Sequence, residues 1–128
     1  MTDRRKVLIV DDEPFIRRSL SFVLKKERYE VLEARNGEEA VAMILSERPD
    51  LVFLDVMMPK LTGFEVAERI RQHDEFAAMK IILLTAKGQD ADRERGETVG
   101  ADDYITKPFS PSKIVERTRR LFADGGDA

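Results

Sequence analysis

Asp50-Leu51-Val52-Phe53-Leu54-Asp55-Val56-Met57-Met58-Pro59 decides how the chain folds: an apolar run delivers one carboxylate, Asp55, to the start of a loop. Leu51 to Leu54 is too short for a helix and apolar throughout, the pattern of a strand buried on both faces in the middle of a parallel sheet. An acid at the carboxyl end of such a strand lies in the crevice outside the strand ends, where open α/β sheets bind their ligands. Asp55 therefore reads as a working residue, the alternative being a local cap on the turn at Pro59.

Toward the N-terminus, Val7-Leu-Ile-Val10 repeats the design, ending in Asp11, Asp12 and Glu13 before Pro14, a residue suited to the first turn of a helix. Ile16, Leu20, Val23 and Leu24 recur at helical spacing and predict a helix running to Lys26 or Glu27. Tyr29 to Ala34 is a less apolar strand, fit for a sheet edge. Asn36-Gly37 reads as a turn, and Ala40, Val41, Ile44 and Leu45 mark a helix that stops before Pro49. Beyond Asp55, Pro59 to Gly63 is a loop, Phe64, Ala67 and Ile70 mark a helix ending near His73, and Lys80 to Leu84 is a strand ending in Thr85. Gln89 to Val99 is helical by position but polar, with Gly96 interrupting it. This should be the loosest helix, because helical stability comes mostly from an apolar face. A fifth strand around Tyr104 to Thr106 closes at Lys107-Pro108, and Ile114, Thr118, Leu121 and Phe122 mark a last helix. His73, the only histidine, reads as a surface helix end with no role.

The alternation is five βα units without a repeat or a long linker. It predicts a single domain over 1–128, with a core of about 6–122 and a flexible tail at 123–128. Right-handed crossovers make it an α/β fold: a doubly wound, five-stranded parallel sheet of strand order 2-1-3-4-5 with five helices. The switch point of that order lies between the strand ending in Asp11 and Asp12 and the one ending in Asp55. The absence of cysteine excludes a disulfide framework and a thiolate metal site. No leader pattern or long apolar run is present, so a cytoplasmic location is expected. A net charge of −3 with interspersed signs lacks the basic stripe of a nucleic-acid-binding domain. A protein or a small anion is the expected partner, with no membrane contact.

On that topology the strand ends bring together Asp11, Asp12, Asp55, Thr85 and Lys107. Clustered carboxylates raise one another's pKa unless a cation joins them, and three acids here face one lysine. A hard divalent cation, Mg²⁺ or Mn²⁺, answers that charge. Mg²⁺ binds through one or two carboxylates and takes phosphate oxygens as further ligands. A phosphoryl group is then the natural substrate, with an aspartate as nucleophile, Lys107 neutralising oxygens and Thr85 donating a hydrogen bond. Local explanations exist for each residue singly: helix caps for Asp11, Asp12 and Thr85, and solvent for Lys107. Their shared strand-end placement argues for one site.

Val10-Asp-Asp-Glu13, Leu54-Asp-Val-Met-Met-Pro59, Leu84-Thr-Ala86 and Asp102-Asp-Tyr-Ile-Thr-Lys-Pro108 resemble, in this order, the receiver domain of two-component response regulators. The resemblance runs from about Lys6 to Phe122, and its motifs are closest to the winged-helix transcription-factor branch. It implies a flavodoxin-like fold like that of chemotaxis regulators. It implies that Asp55 accepts phosphate from a sensor histidine kinase or phosphotransfer protein. Asp11, Asp12, Asp55 and the Met57 backbone carbonyl then hold Mg²⁺, while Thr85 and Lys107 bind the phosphate. It further implies a cis Lys107–Pro108 bond, which would aim the ammonium into the site. Thr85 and Tyr104 become the switch that alters the face made by the fourth helix, fifth strand and fifth helix for a downstream protein or output domain. Arg93, Asp103 and Arg117 resemble charges used for dimerisation in that branch. Lys113 departs from the acid often found there, so the expected state is a monomer with a possible phosphorylation-dependent homodimer.

Met57 and Lys87 stand two residues beyond Asp55 and Thr85, where receivers tune their phosphorylated lifetime. A thioether cannot orient an attacking water and Lys87 can reach toward the phosphate, which predicts slow self-dephosphorylation. The expected role is a phosphoacceptor regulator and not an enzyme. An aspartate-nucleophile phosphohydrolase would resemble a pattern with a second acid two residues after the nucleophile, and Met57 cannot transfer a proton. A receiver that only docks proteins is disfavoured by the intact Asp12, Asp55, Thr85 and Lys107.

Overall fold

Short apolar runs become the parallel strands β1 (Lys6–Val10), β2 (Glu30–Ala34), β3 (Leu51–Asp55), β4 (Lys80–Thr85) and β5 (Asp103–Thr106), in the order β2-β1-β3-β4-β5. The structure is a computed structural model that describes residues 4–86 and 90–124. Between the strands run α1 (Pro14–Lys26), α2 (Gly37–Glu47), α3 (Gly63–Arg71), α4 (Asp90–Thr98) and, after β5, α5 (Pro111–Asp124). Among the described residues no helix is long and apolar enough to cross a membrane.

The period-two alternation of a strand sorts the apolar side chains onto two faces. Leu8, Val10, Val52, Leu54, Ile81 and Leu83 meet Ile44 of α2 and Phe64 and Ile70 of α3 on one side. Val7, Ile9, Phe53, Ile82, Leu84 and Ile105 meet Leu20 and Leu24 of α1 and Ile114 and Phe122 of α5 on the other. Every residue of β3 is buried, as a central strand covered on both faces requires. The edge strand β2 is exposed at Glu30 and Glu33 and buried fully only at Ala34.

Two local readings differ from the sequence expectation. Asn36-Gly37 is not a free turn: the Asn36 side chain accepts from the Glu39 N–H at 2.8 Å and caps α2, with Glu38 and Glu39 placed favourably in its first turn. The third helix ends at Arg71, and a 3₁₀ turn over Asp74–Phe76 follows, inserting the buried Phe76 into the core. Helix α4 is as apolar-poor as its sequence predicts. From Glu94 onward it buries only Gly96, with Val99 just past its end, while Arg95 lies over the Phe64 ring at 4.5 Å. The Lys107–Pro108 bond is cis.

Candidate functional site

The buried strands fix where the charged residues stand. β1 carries its chain straight into Asp11, which is fully buried, and the exposed Asp12 follows. The Asp11 carboxylate accepts from the Glu13 N–H at 2.9 Å through one oxygen and from Lys107 Nζ at 3.0 Å through the other. Asp55 ends β3 with 3% of its surface exposed, and its Oδ1 accepts from the Met57 N–H at 3.1 Å. The Lys107 ammonium reaches that same oxygen at 3.6 Å and the more exposed Glu13 at 3.9 Å. Thr85 ends β4, and its carbonyl accepts from the Lys107 N–H at 2.7 Å, which ties the lysine backbone to the neighbouring strand. The Thr85 hydroxyl, on a residue 2% exposed, makes no hydrogen bond among the described residues.

Burial and the charge of Asp11, with a smaller contribution from Asp12, push the Asp55 carboxyl up to about 6; the Met57 N–H and Lys107 oppose the rise. For Lys107 burial pulls the pKa down. The hydrogen bond to Asp11 and the charges of Asp55, Asp11 and Glu13 outweigh it and hold the ammonium above its ordinary value. One lysine thus leaves the acid cluster under-neutralised. Asp11, Asp12 and Asp55 each offer an oxygen, all within 4.8 Å of one another, an oxygen-only ligand set of the kind hard divalent cations take. The raised carboxyl and the unpartnered buried hydroxyl both fit such a cation with an anionic group beside it.

Comparison with known proteins bears on this arrangement. The family model of the response regulator receiver domain matches residues 7–119. The chain belongs to that family. This receiver domain is 49% identical over 120 residues to the transcriptional regulatory protein ResD of Bacillus subtilis, covering 94% of this chain and 49% of that protein. It is 43% identical over 122 residues to the phosphate regulon transcriptional regulatory protein PhoB of Pseudomonas aeruginosa, covering 95% and 53%. The chain thus spans about half the length of the curated relatives it matches. Among solved structures it superposes on the chemotaxis response regulator CheY4 of Vibrio cholerae with a TM-score of 0.87, at 35% identity over 92% of this chain and 98% of that one. A response regulator receiver domain protein from Methanospirillum hungatei gives a TM-score of 0.89 at 30% identity, over 96% and 97%.

The receiver domain brings together Asp11, Asp12, Asp55 and Lys107 as the strand order requires, with Thr85 at the adjoining strand end. Met57 stands outside at 68% exposure. Tyr104 is half-buried on β5 beside Leu83, packed against the core under α4. Lys87 lies outside the described residues, as does the side chain of Arg93. Asp103 and Arg117 pair within the chain, Arg117 Nη1 donating to both carboxylate oxygens at 2.8 and 2.6 Å, while Lys113 is exposed on α5. His73 is exposed beside the edge of Phe76.

Sequence reasoning missed Arg17 of this receiver domain. Its guanidinium donates to the Asp11 carbonyl at 2.8 Å and pairs with Glu33 at 3.3 Å, pinning the acid-bearing turn to α1 and β2. The only signal was a cation four residues past Glu13, indistinguishable from a solvated helix face.

Proposed function

We propose that Asp55 is the phosphoacceptor of a two-component system, taking a phosphoryl group from a histidine kinase or phosphotransfer protein. The observation that carries this reading is a buried carboxylate with Lys107 Nζ at 3.6 Å, the Asp11 and Asp12 oxygens alongside and its pKa pushed up to about 6. Asp11, Asp12, Asp55 and the Met57 carbonyl are the residues to hold Mg²⁺, which when bound neutralises the carboxylates and the transferring oxygens together. An Asp55 oxygen attacks phosphorus, the bond from phosphorus to the donor imidazole nitrogen breaks, and the acyl phosphate takes up charge beside Lys107. The ammonium, now closest to Asp11, pairs with a phosphoryl oxygen, and the orphaned Thr85 hydroxyl donates to another. That donation draws Thr85 toward the site, and Tyr104 follows inward, altering the α4, β5 and α5 face for a downstream protein or output domain. The protein is consumed and regenerated in this cycle as a regulator, not an enzyme. The exposed Met57 thioether is too weak an acceptor to orient an attacking water, which favours slow release, and Lys87, outside the described residues, is a further candidate cation by its place in the sequence.

On this reading the donor protein docks beside the site. A groove of about 570 Å³ between α1 and α5 is lined by Phe15, Ile16, Pro108, Phe109 and Pro111 and ends at Lys107 and Ala86 on the rim of the site. Phe15 is 76% exposed there, an aromatic anchor of the kind protein interfaces use.

Intact mass after incubation with acetyl phosphate and Mg²⁺ tests the proposal against Asp55→Asn. The expected result is one added phosphoryl group that requires the metal and is absent from the variant. A folded wild-type protein that gains no mass, or an Asp55→Asn variant that gains as much, would overturn it.

A further inference from the structure

We infer that Met57 is a site of reversible oxidation that shortens the life of the phosphorylated domain. This rests on the phosphoacceptor reading above. Of the chain's five methionines, Met57 is 68% exposed, Met58 and Met79 are each only 4% exposed, Met43 is half-buried, and Met1 lies outside the described residues. Among the described methionines, oxidants from solution therefore meet the Met57 sulfur first. The same residue is anchored at the reacting carboxylate, because its N–H donates to Asp55 Oδ1 at 3.1 Å. An exposed thioether at this position is a weak acceptor and orders no water.

The chemistry is self-contained with hydrogen peroxide as oxidant. The sulfur attacks one peroxide oxygen, a sulfur–oxygen bond forms and the oxygen–oxygen bond breaks. The sulfur is oxidised by two electrons, the peroxide is reduced, and the departing oxygen leaves with its protons as water. The product is methionine sulfoxide, which cellular reductases return to the thioether. Its new oxygen sits on the third side-chain atom, the place of the amide oxygen in glutamine, and is a strong acceptor. From Met57 that oxygen accepts a hydrogen bond from a water beside Asp55 and holds it for attack on the acyl phosphate. It acts by positioning, since a sulfoxide is too weak a base to remove the proton. Oxidation thus turns an inert bystander into a water-orienting group and resets the signal without any partner.

The test loads the protein with acetyl phosphate and Mg²⁺, confirms incorporation by intact mass, removes the donor and divides the sample, one part receiving hydrogen peroxide. Peptide mapping locates the added oxygen, and mass follows phosphoryl loss. The expected result is oxygen at Met57 ahead of Met43, Met58 and Met79, with a half-life shorter by about five- to tenfold, the worth of one added transition-state hydrogen bond. Met57→Gln shows the shorter half-life without oxidant, and Met57→Leu shows no response to peroxide when compared with itself untreated. Oxygen at Met57 with an unchanged half-life, or equal shortening in Met57→Leu, overturns the inference, as does a Met57 that resists while a buried methionine reacts. Failure to incorporate phosphate before peroxide is added is seen separately, and it removes the phosphoacceptor reading together with this one.

Discussion

At Asp55, burial and the Asp11 charge act in one direction while the Met57 N–H and Lys107 act in the other, and the balance favours the proton. The folded value of about 6 lies above the roughly 4 of an unfolded aspartate, so the folded state binds the proton more tightly. The stabilisation from this group is complete below the unfolded value and is lost as pH rises through about 6. Urea unfolding of the metal-free protein should therefore weaken by about 1 to 3 kcal/mol between pH 4 and 7 on account of Asp55. Asp55→Asn should lack that loss and be the more stable protein at pH 7. Millimolar Mg²⁺ should raise the wild-type melting temperature and leave Asp55→Asn little changed, by linkage to a site that has lost a ligand; equal shifts in both would contradict the assigned ligand set. Most of this cluster was legible in the sequence because Asp11, Asp12, Asp55 and Lys107 each set a charge, and Thr85 a hydroxyl, at the end of a predicted strand. Arg17 was not, because its partner is the carbonyl of Asp11, and a backbone acceptor leaves no trace in residue identity.

Helix α3 decides how the loop after Asp55 is held. Thr62 and Glu65 form a reciprocal cap, the Thr62 hydroxyl accepting at 3.2 Å from the Glu65 N–H and the Glu65 carboxylate accepting at 2.8 Å from the Thr62 N–H. Gly63 follows because a Cβ there would sit 2.4 Å from the Asp55 carbonyl oxygen, a contact with backbone that no rotamer relieves. Thr62→Ala should cost about 1 kcal/mol in urea unfolding. Gly63→Ala should cost about 2 to 4 kcal/mol because the strand end that carries Asp55 must shift, and on the proposed function it should also slow phosphoryl uptake. A Gly63→Ala protein as stable as wild type would show that α3 does not press on β3. The capping pair is visible in the sequence as Thr62-x-x-Glu65, yet the apolar spacing drew attention to Phe64 onward. The same preference for apolar periodicity hid the Asn36 cap, and it hid the 3₁₀ turn, whose single buried Phe76 offers no period at all. For α4 the absence of an apolar face was itself the signal. Amide exchange at Glu94 to Thr98 should outpace that of Val66 to Ile70 in α3, where Val66, Ala67 and Ile70 are all buried.

Across the whole molecule the two edges of the sheet have different tasks. The carboxyl edge gathers the site, and the opposite edge is tied by Arg71. Its guanidinium donates to the carbonyls of Phe76 and Met79 at 2.8 Å each, to that of Gly100 at 3.0 Å and to the Asp102 carboxylate at 3.0 Å. One side chain thereby joins the end of α3, the start of β4 and the turn into β5. Arg71→Met should lose about 2 to 4 kcal/mol, measured by urea unfolding, because it orphans several acceptors at once. Arg71→Lys should recover less than half of that loss, since a point charge cannot reproduce the fork. The doubly wound topology that separates these edges was readable from the alternation of five βα units. The Arg71 knot was not, being built from carbonyls far apart in the chain. The Lys107–Asp11 contact joins positions 96 residues apart, just past the strands of the first and last βα units. A nascent chain that has emerged only as far as β4 holds three mutually repelling carboxylates and no ammonium to settle them. On the proposed function, acceptor chemistry would arrive only once β5 has joined the sheet, so a phosphorylated Asp55 would report that all five strands are assembled.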